Sequence, residues 1–289
     1  MHTLIQRLIS SGPVVTDGAW GTQLQARGLA LGAFPEAWNR SHPDRVLEVA
    51  KAYVEAGSQI ILTNTFSANR LRLAEAGLAD CVGEINREGV RISLSAAGGR
   101  ARVFASIGPT GKLLMDGSVT PDEMKAAFEE QVGALAEAGA DALVVETMSD
   151  LAEAELAVGA ARATGLPVVV CMVFDSGKDK DRTMMGATPE QAVAVLTAAG
   201  ADVIGANCGQ GINGFVLLCR RLRAATDRPI WLKPNAGLPT LVDGRATYSA
   251  TPEEFASRTV ELIKLGANFV GGCCGTRPDF IRDICQQLR

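Results

Sequence analysis

The sequence predicts a closed parallel α/β barrel of eight strands, a (β/α)8 or TIM barrel, occupying residues 1–289 as one domain. Three observations predict it. A helix-like run that ends in a small residue and Gly, followed at once by a β-branched strand, recurs as EAGSQIILTN (55–64), EAGADALVVE (137–146), AAGADVIGAN (198–207) and KLGANFVGGC (264–273). The same strand type follows longer links in PVVTDG (13–18), RVFASIG (102–108), PVVVCMVF (167–174) and PIWLKPN (229–235), which makes eight strands. The strands are near-continuous Val/Ile/Leu runs, as strands covered on both faces are. A doubly wound open sheet is the competing arrangement, but eight regular units without a break in composition favour closure.

Each element has a local reason. Gly stops the helix by taking the left-handed conformation, and a short link returns the chain to a strand. Helices are predicted over 43–57, 82–98, 121–138, 150–164, 189–199, 213–225, 252–265 and 278–288. Thr120-Pro121-Asp122-Glu123, Thr188-Pro189-Glu190 and Thr251-Pro252-Glu253-Glu254 each place a capping hydroxyl before a first-turn Pro and acids. The longest loops fall at 18–42, 64–80, 174–188 and 234–251.

Composition narrows the function. Of 289 residues, 47% are hydrophobic and 21% charged, with a formal net charge of -4 and no basic stripe, which argues against nucleic acid as a partner. No apolar run approaches the roughly 20 residues that span a bilayer, and the N-terminus lacks the pattern of a signal peptide, so a cytoplasmic protein is expected. Seven cysteines, an odd count, make a full disulfide framework a poor reading and raise metal binding or catalysis.

In such a barrel the chemistry lies at the C-terminal ends of the strands. The polar residues there are Asp17, Asn64, Thr65, Ser106, Glu146, Thr147, Asn207, Cys208, Asn235, Cys273 and Cys274. Cys208, Cys273 and Cys274 sit on strands two apart and converge despite their distance in sequence. Adjacent strand residues point to opposite faces, so Cys273 and Cys274 share a ligand only if the chain leaves strand geometry, which Gly271-Gly272-Cys273-Cys274-Gly275 permits. Three thiolates leave one tetrahedral position of a zinc ion open, the pattern of a catalytic site, and that position suits an incoming thiol. Against this stands the ordinary role of cysteine as a small core residue, which is assigned to Cys81, Cys171, Cys219 and Cys285.

Asp17 and Glu146 are either solvated rim acids or the captors of an ammonium group. Backbone N–H groups of Asp17-Gly18-Ala19-Trp20-Gly21-Thr22 form a turn able to receive a carboxylate. Gly209-Gln210-Gly211-Ile212-Asn213-Gly214 matches G-x-G-x-x-G, but a dinucleotide site needs an open sheet and an acid about 20 residues on at a strand end, and room for Cys208 explains the glycines better. His2 and His42 lie away from strand ends, so imidazole chemistry is not central. The loop 175–182 reads as a solvated mobile segment, with a lid as the minority reading.

At these residues the chain resembles the homocysteine S-methyltransferase family, which includes betaine–homocysteine methyltransferase and the homocysteine-binding domain of cobalamin-dependent methionine synthase. The resemblance runs over nearly the whole chain and is carried by Asp17-Gly18-Ala19-Trp20-Gly21-Thr22, Thr63-Asn64-Thr65-Phe66, Gly205-Ala206-Asn207-Cys208, Lys233-Pro234-Asn235-Ala236-Gly237 and Gly271-Gly272-Cys273-Cys274-Gly275-Thr276. It implies the same barrel, zinc on Cys208, Cys273 and Cys274, and a substrate amino group near Asp17 and Glu146. It implies a carboxylate received by backbone around Gly18 and Ala19 and near Ser106, and Asn235 in the metal's fourth position when substrate is absent. The methyl donor stays open between methylcobalamin on a separate corrinoid protein, betaine and another onium compound. Trp20, Trp38 and Phe66 either box a cationic donor or simply pack. A methyltransferase for another thiol, a zinc- or thiol-binding subunit without turnover, and a phosphate-binding barrel enzyme are the alternatives.

Overall fold

The structure is a computed structural model that describes residues 1–242 and 245–288. Its barrel strands are β1 (Val14–Val15), β2 (Ile60–Leu62), β3 (Arg102–Ile107), β4 (Ala142–Met148), β5 (Val168–Met172), β6 (Val203–Gly211) and β7 (Ile230–Asn235). A small antiparallel hairpin, β8 (Thr240–Val242) and β9 (Arg245–Thr247), precedes the last barrel strand, β10 (Phe269–Val270). The eight barrel strands pair in parallel in the order β1-β10-β7-β6-β5-β4-β3-β2. The seam between β1 and β2 closes through Gln59, whose backbone N–H donates to the Val15 carbonyl at 2.8 Å and whose side-chain oxygen accepts from Val15 N–H at 2.9 Å. Eight alternating units and a nearly closed ring make this the predicted (β/α)8 barrel.

The outer helices run Pro43–Ala56, Val82–Ala97, Pro121–Glu137, Leu151–Arg162, Pro189–Ala198, Ile212–Ala225, Pro252–Lys264 and Pro278–Gln287, each within two residues of its predicted span. Gly57, Gly139, Gly200 and Gly266, the stop signals of the recurrent motif, all sit at positive φ between 92° and 107°. Thr120, Thr188 and Thr251 form reciprocal capping boxes with Glu123, Gln191 and Glu254.

Alternation along the strands sorts their side chains into two cores. One set, which includes Val15, Ile61, Leu143, Val145, Val170, Ile204 and Leu232, packs outward under the helices. The intervening residues, Val14, Ile60, Phe104, Val144, Val169, Val203, Trp231 and Phe269, fill the barrel. Trp231 anchors that filling, with ring centroids 6.0 Å from Phe104 and 5.2 Å from Phe269. An additional helix, Thr3–Ile9, closes the N-terminal mouth by inserting Ile5 into this cluster. Its Leu4, Ile5, Leu8 and Ile9 recur at helical spacing, and His2 caps it by accepting from Leu4 N–H at 3.2 Å.

Two predicted strands are shorter than their sequence pattern. The first regular strand ends at Val15 and the last at Val270, although the following segments stay bonded to their neighbours: Thr16 N–H donates to the Val270 carbonyl, Gly272 N–H to the Asp17 carbonyl and Gly271 N–H to the Leu232 carbonyl. The segment 175–182 is solvated as expected, with Gly177 to Lys180 and Arg182 exposed, and it also makes specific contacts. Ser176 and Arg182 form an antiparallel bridge, Gln210 Nε2 donates to the carbonyls of Phe174 and Lys180, and Asp181 pairs with Arg221.

Candidate active site

The interior alternation continues upward into chemistry. Two residues above Phe104 comes Ser106, above Val144 comes Glu146, and above Trp231 come Lys233 and Asn235. On β6 the same parity runs Val203, Gly205, Asn207. Gly205 carries no side chain because a Cβ there would lie 1.8 Å from the Trp231 carbonyl oxygen.

Cys208, Cys273 and Cys274 meet at this end, all three sulfurs within 4.8 Å of one another and Cys208 Sγ 4.0 Å from Cys274 Sγ. A tetrahedral zinc with Zn–S bonds of about 2.3 Å places its sulfurs about 3.8 Å apart, so the thiols fit one metal ion. Cys208 sits at φ 59°, a left-handed position that turns its sulfur out of the strand alternation. Cys273 N–H donates to the Pro234 carbonyl at 2.8 Å, and Cys274 N–H donates to Asn235 Oδ1 at 3.1 Å, which fixes the Gly-Gly-Cys-Cys segment against β7. Hydrogen bonds from the Cys273 and Cys274 thiols push the Cys208 thiol down to about 3. Bonding to Cys208 in turn pushes Cys274 up to about 12 and also raises Cys273. One thiolate thus forms readily and the next two resist like charge, and a divalent cation bound among them would let all three ionise together. Cys171 and Cys219 are buried core thiols as expected, Cys81 accepts from Arg40, and Cys285 lies against the Gly57 carbonyl.

A cavity of about 510 Å³ opens beside the thiols, with Glu146, Lys233, Gly18, Trp20, Phe66 and Tyr248 among its lining residues. Glu146 is buried, and burial raises its carboxyl above the usual range. Its Oε1 accepts from the Ser106 hydroxyl at 2.5 Å. Asp17 is fully buried and already holds three donors: Lys233 Nζ at 2.5 Å, Leu62 N–H at 2.7 Å and Trp20 Nε1 at 2.8 Å. Burial alone would lower the Lys233 ammonium, but the charges of Asp17 and Glu146 outweigh it and hold the group above its ordinary value.

Of the backbone groups predicted to receive a carboxylate, two are engaged within the fold. Ala19 N–H donates to the Thr276 carbonyl at 3.0 Å and Ser106 N–H to Thr63 Oγ1 at 3.1 Å. Gly18 N–H has no acceptor among the described residues, and Gly18 lines the cavity. Asn235 lies within the thiol cluster's hydrogen bonding. Trp20 and Phe66 face the cavity, whereas Trp38 packs against His42, the ring centroids 4.6 Å apart and the planes tilted by 31°.

Sequence reasoning passed over Lys233, although a lysine at the interior parity of an apolar strand is itself a signal. Tyr248 was also missed. It comes from the long loop after β7, its ring lies so close to Gly275 that a Cβ there would meet it at 2.3 Å, and burial followed by the nearby thiol charges pushes its phenol up to about 12. The G-x-G-x-x-G segment forms the end of β6 and the start of the next helix, beside a second cleft of about 970 Å³ that Asp175, Lys180, Glu253 and Arg258 also line. The closed barrel removes the open-sheet crevice that a dinucleotide site requires. Among the described residues no helix is long and apolar enough to cross a membrane.

Comparison with known proteins agrees with this geometry. The chain is similar to methionine synthase of Mycobacterium leprae, 33% identical over 303 residues that cover 98% of this chain and 24% of the relative. It is also similar to methionine synthase of Mycobacterium tuberculosis, 32% identical over 296 residues covering 96% and 25%. The chain therefore spans about a quarter of the length of these relatives. The metallated form of the homocysteine methyltransferase MmuM from Escherichia coli superposes with a TM-score of 0.82 at 23% identity, covering 99% of this chain and 100% of that one. Its oxidized form gives 0.79 at 24% identity, covering 95% and 96%. At these identities the likeness shows the shared barrel. The family model for homocysteine S-methyltransferases matches residues 14–288, and the chain belongs to that family.

Proposed function

We propose that this chain, as one barrel domain over residues 1–289, transfers a methyl group to the thiol of L-homocysteine, with zinc on Cys208, Cys273 and Cys274. The observation that carries this reading is the three-thiol cluster at the wall of a cavity that also holds a buried, singly positioned acid. The metallated form of the E. coli relative supports a metal here. Bound at the thiols, zinc would supply a positive centre that keeps an incoming thiol ionised at neutral pH.

The chain's own residues do the rest. Glu146, oriented by Ser106, takes the substrate ammonium. Asp17, its own oxygens already held by three donors, offsets the Lys233 ammonium that would otherwise repel a cationic substrate end. Gly18 N–H receives the carboxylate, and Asn235 stands beside the thiols at the position that a substrate sulfur would displace. Trp20, Phe66 and Tyr248 exclude water from the path between thiolate and donor.

A second reading concerns the donor. The methyl group comes either from a small onium compound entering this cavity or from a methyl-bearing corrinoid presented to it. The test starts with metal content of protein purified under reducing conditions, then titration with L-homocysteine while zinc–sulfur coordination is followed by X-ray absorption. One zinc per chain gaining a fourth sulfur supports the acceptor half, and turnover with betaine or a sulfonium compound then separates the donors. No zinc after reconstitution of reduced protein sinks the mechanism.

A further inference from the structure

Asn207 stands where the acid and the thiols meet. Its carboxamide oxygen accepts from Thr147 N–H at 2.7 Å. A backbone N–H only donates, so this contact fixes which end of the amide is which and turns the nitrogen toward the site. That nitrogen has two hydrogens and three acceptors: Thr147 Oγ1 at 2.7 Å, Glu146 Oε2 at 3.4 Å and Cys273 Sγ at 3.8 Å. One hydrogen goes to Thr147, and the other is divided between the carboxylate and the sulfur.

The surrounding backbone is shaped around this one side chain. Thr147 sits at φ 63°, unusual for a β-branched residue, and Cys208, the next residue after Asn207, sits at φ 59°. The β4–β5 register shifts between Val145 and Met148, and the β6–β7 register shifts between Asn207 and Gly211. Two irregularities on separate strands face each other, and the Asn207 amide ties them together. Backbone held in such regions persists where its surroundings enforce it, and it gathers at functional sites.

We propose that Asn207 is a positioning residue that couples capture of the substrate amino group at Glu146 to the metal-binding sulfur of Cys273. The proposal rests on the reading that Glu146 takes the ammonium. With Glu146 unengaged, its Oε2 competes for the shared N–H. An ammonium on Glu146 satisfies that oxygen, and the N–H turns to Cys273. A hydrogen bond draws charge from that sulfur, so a metal there pulls harder on the ligand in its open position. The amino end of the substrate is thereby sensed at its thiol end, and thiols lacking an α-amino group are discriminated against at both.

The test compares homocysteine with 4-mercaptobutanoate, which differs by the amino group alone. Dissociation constants are measured for zinc-loaded wild type, Asn207→Ser and Asn207→Ala, and thiolate-to-metal charge-transfer bands are recorded for the cobalt-loaded proteins. Wild type is expected to prefer homocysteine by about tenfold or more, as charge-assisted hydrogen bonds allow, and to show different bands with the two ligands. In both variants the preference shrinks severalfold to what the Glu146 charge alone supplies, the bands coincide, and metal affinity without substrate stays within about threefold. A merely structural amide would leave the ligand-dependent band difference in place, and that result in either folded variant overturns the coupling. A preference lost in Glu146→Gln but undiminished in both Asn207 variants sinks the coupling alone. No preference in wild type sinks both the Glu146 reading and the coupling.

Discussion

Trp231 and Lys233 stand two residues apart on β7 and share one face of the strand, yet they belong to opposite ends of the barrel. Trp231 is buried in an all-apolar filling with Phe104 and Phe269, closed from below by Ile5. Lys233, equally buried, is held by Asp17 within a ring of acids, amides and thiols. The lower end is stabilised by transfer of apolar surface from water, about 25 cal/mol per Å². The upper end holds most of its polar groups in individual hydrogen bonds, with departures from ideal backbone: all the non-glycine residues at positive φ among those described, Thr147, Lys180 and Cys208, lie on loops or strand ends at this face. The lower end depends on apolar volume and the upper on paired charges and thiols, so substitutions at the two ends should read out differently.

The largest separation is expected between Trp231→Ala and Cys208→Ala. Truncating Trp231 should cost about 3–5 kcal/mol in urea unfolding while zinc stoichiometry stays at one per folded chain. Removing Cys208 should weaken zinc binding at least about a thousandfold, a part of the ~10–16 kcal/mol open to a multi-thiolate site, with little change in stability of the metal-free barrel. Stoichiometric zinc retained at unchanged affinity in Cys208→Ala would refute the three-thiol site. A metal-free Cys208→Ala barrel destabilised as much as Trp231→Ala would refute the division of labour.

The comparison is sharpened at the boundary residue itself. Lys233→Met leaves Asp17 buried without its cation and should cost about 3–5 kcal/mol, more than the lost methylene packing explains. Adding Asp17→Asn removes the stranded charge, so the double variant should regain a good part of that loss. Double-mutant-cycle unfolding measures the coupling, and simple additivity of the two single effects would show that the pair is not what holds this layer.

Glu146→Gln carries a smaller effect. It keeps the acceptor for Ser106 and loses the charge, so homocysteine affinity should fall about 10- to 100-fold, the range of one charge-assisted hydrogen bond, while zinc affinity stays within about threefold. Calorimetric titration of both ligands reads this directly. Equal homocysteine affinity in wild type and variant removes Glu146 from the ammonium site.

Much of this arrangement was legible in the sequence, for identifiable reasons. Helix stops at Gly57, Gly139, Gly200 and Gly266 and caps at Thr120, Thr188 and Thr251 are set by local chemistry, so the eight units could be read residue by residue. The convergence of Cys208 with Cys273 and Cys274 followed from strand order, and Glu146 from its place at a strand end. What escaped depends on contacts between distant segments. That Asp17 is held by Leu62 and Lys233, that Ala19 N–H is taken by Thr276, and that Tyr248 folds over Gly275 cannot be read from spacing, because each partner comes from another βα unit. The helix Thr3–Ile9 was missed for a different reason, since seven residues are too short for periodicity to stand out.

The smallest expected effect tests whether the pinned segment after β5 belongs to the upper end's ordering. Arg221 pairs with Asp181 of that segment and, through Nη2, with Glu190 at 2.6 Å, with side-chain exposures of 24% for Arg221 and 50% for Glu190. A pair this exposed is screened by solvent, so Arg221→Met should cost under about 1 kcal/mol at neutral pH. The Arg221 hydrogen bond pushes the Glu190 carboxyl down to about 2 from an ordinary 4.5. A depressed carboxyl contributes stability that is fully present above about pH 4.5 and is lost as pH falls through about 2. The gap between wild type and variant should therefore narrow across that window, and amide exchange in residues 175–182 should quicken in the variant at neutral pH. A gap that stays constant down to pH 2, or exchange that does not change, would mean that Gln210 and the Ser176–Arg182 bridge hold the segment without help from Arg221.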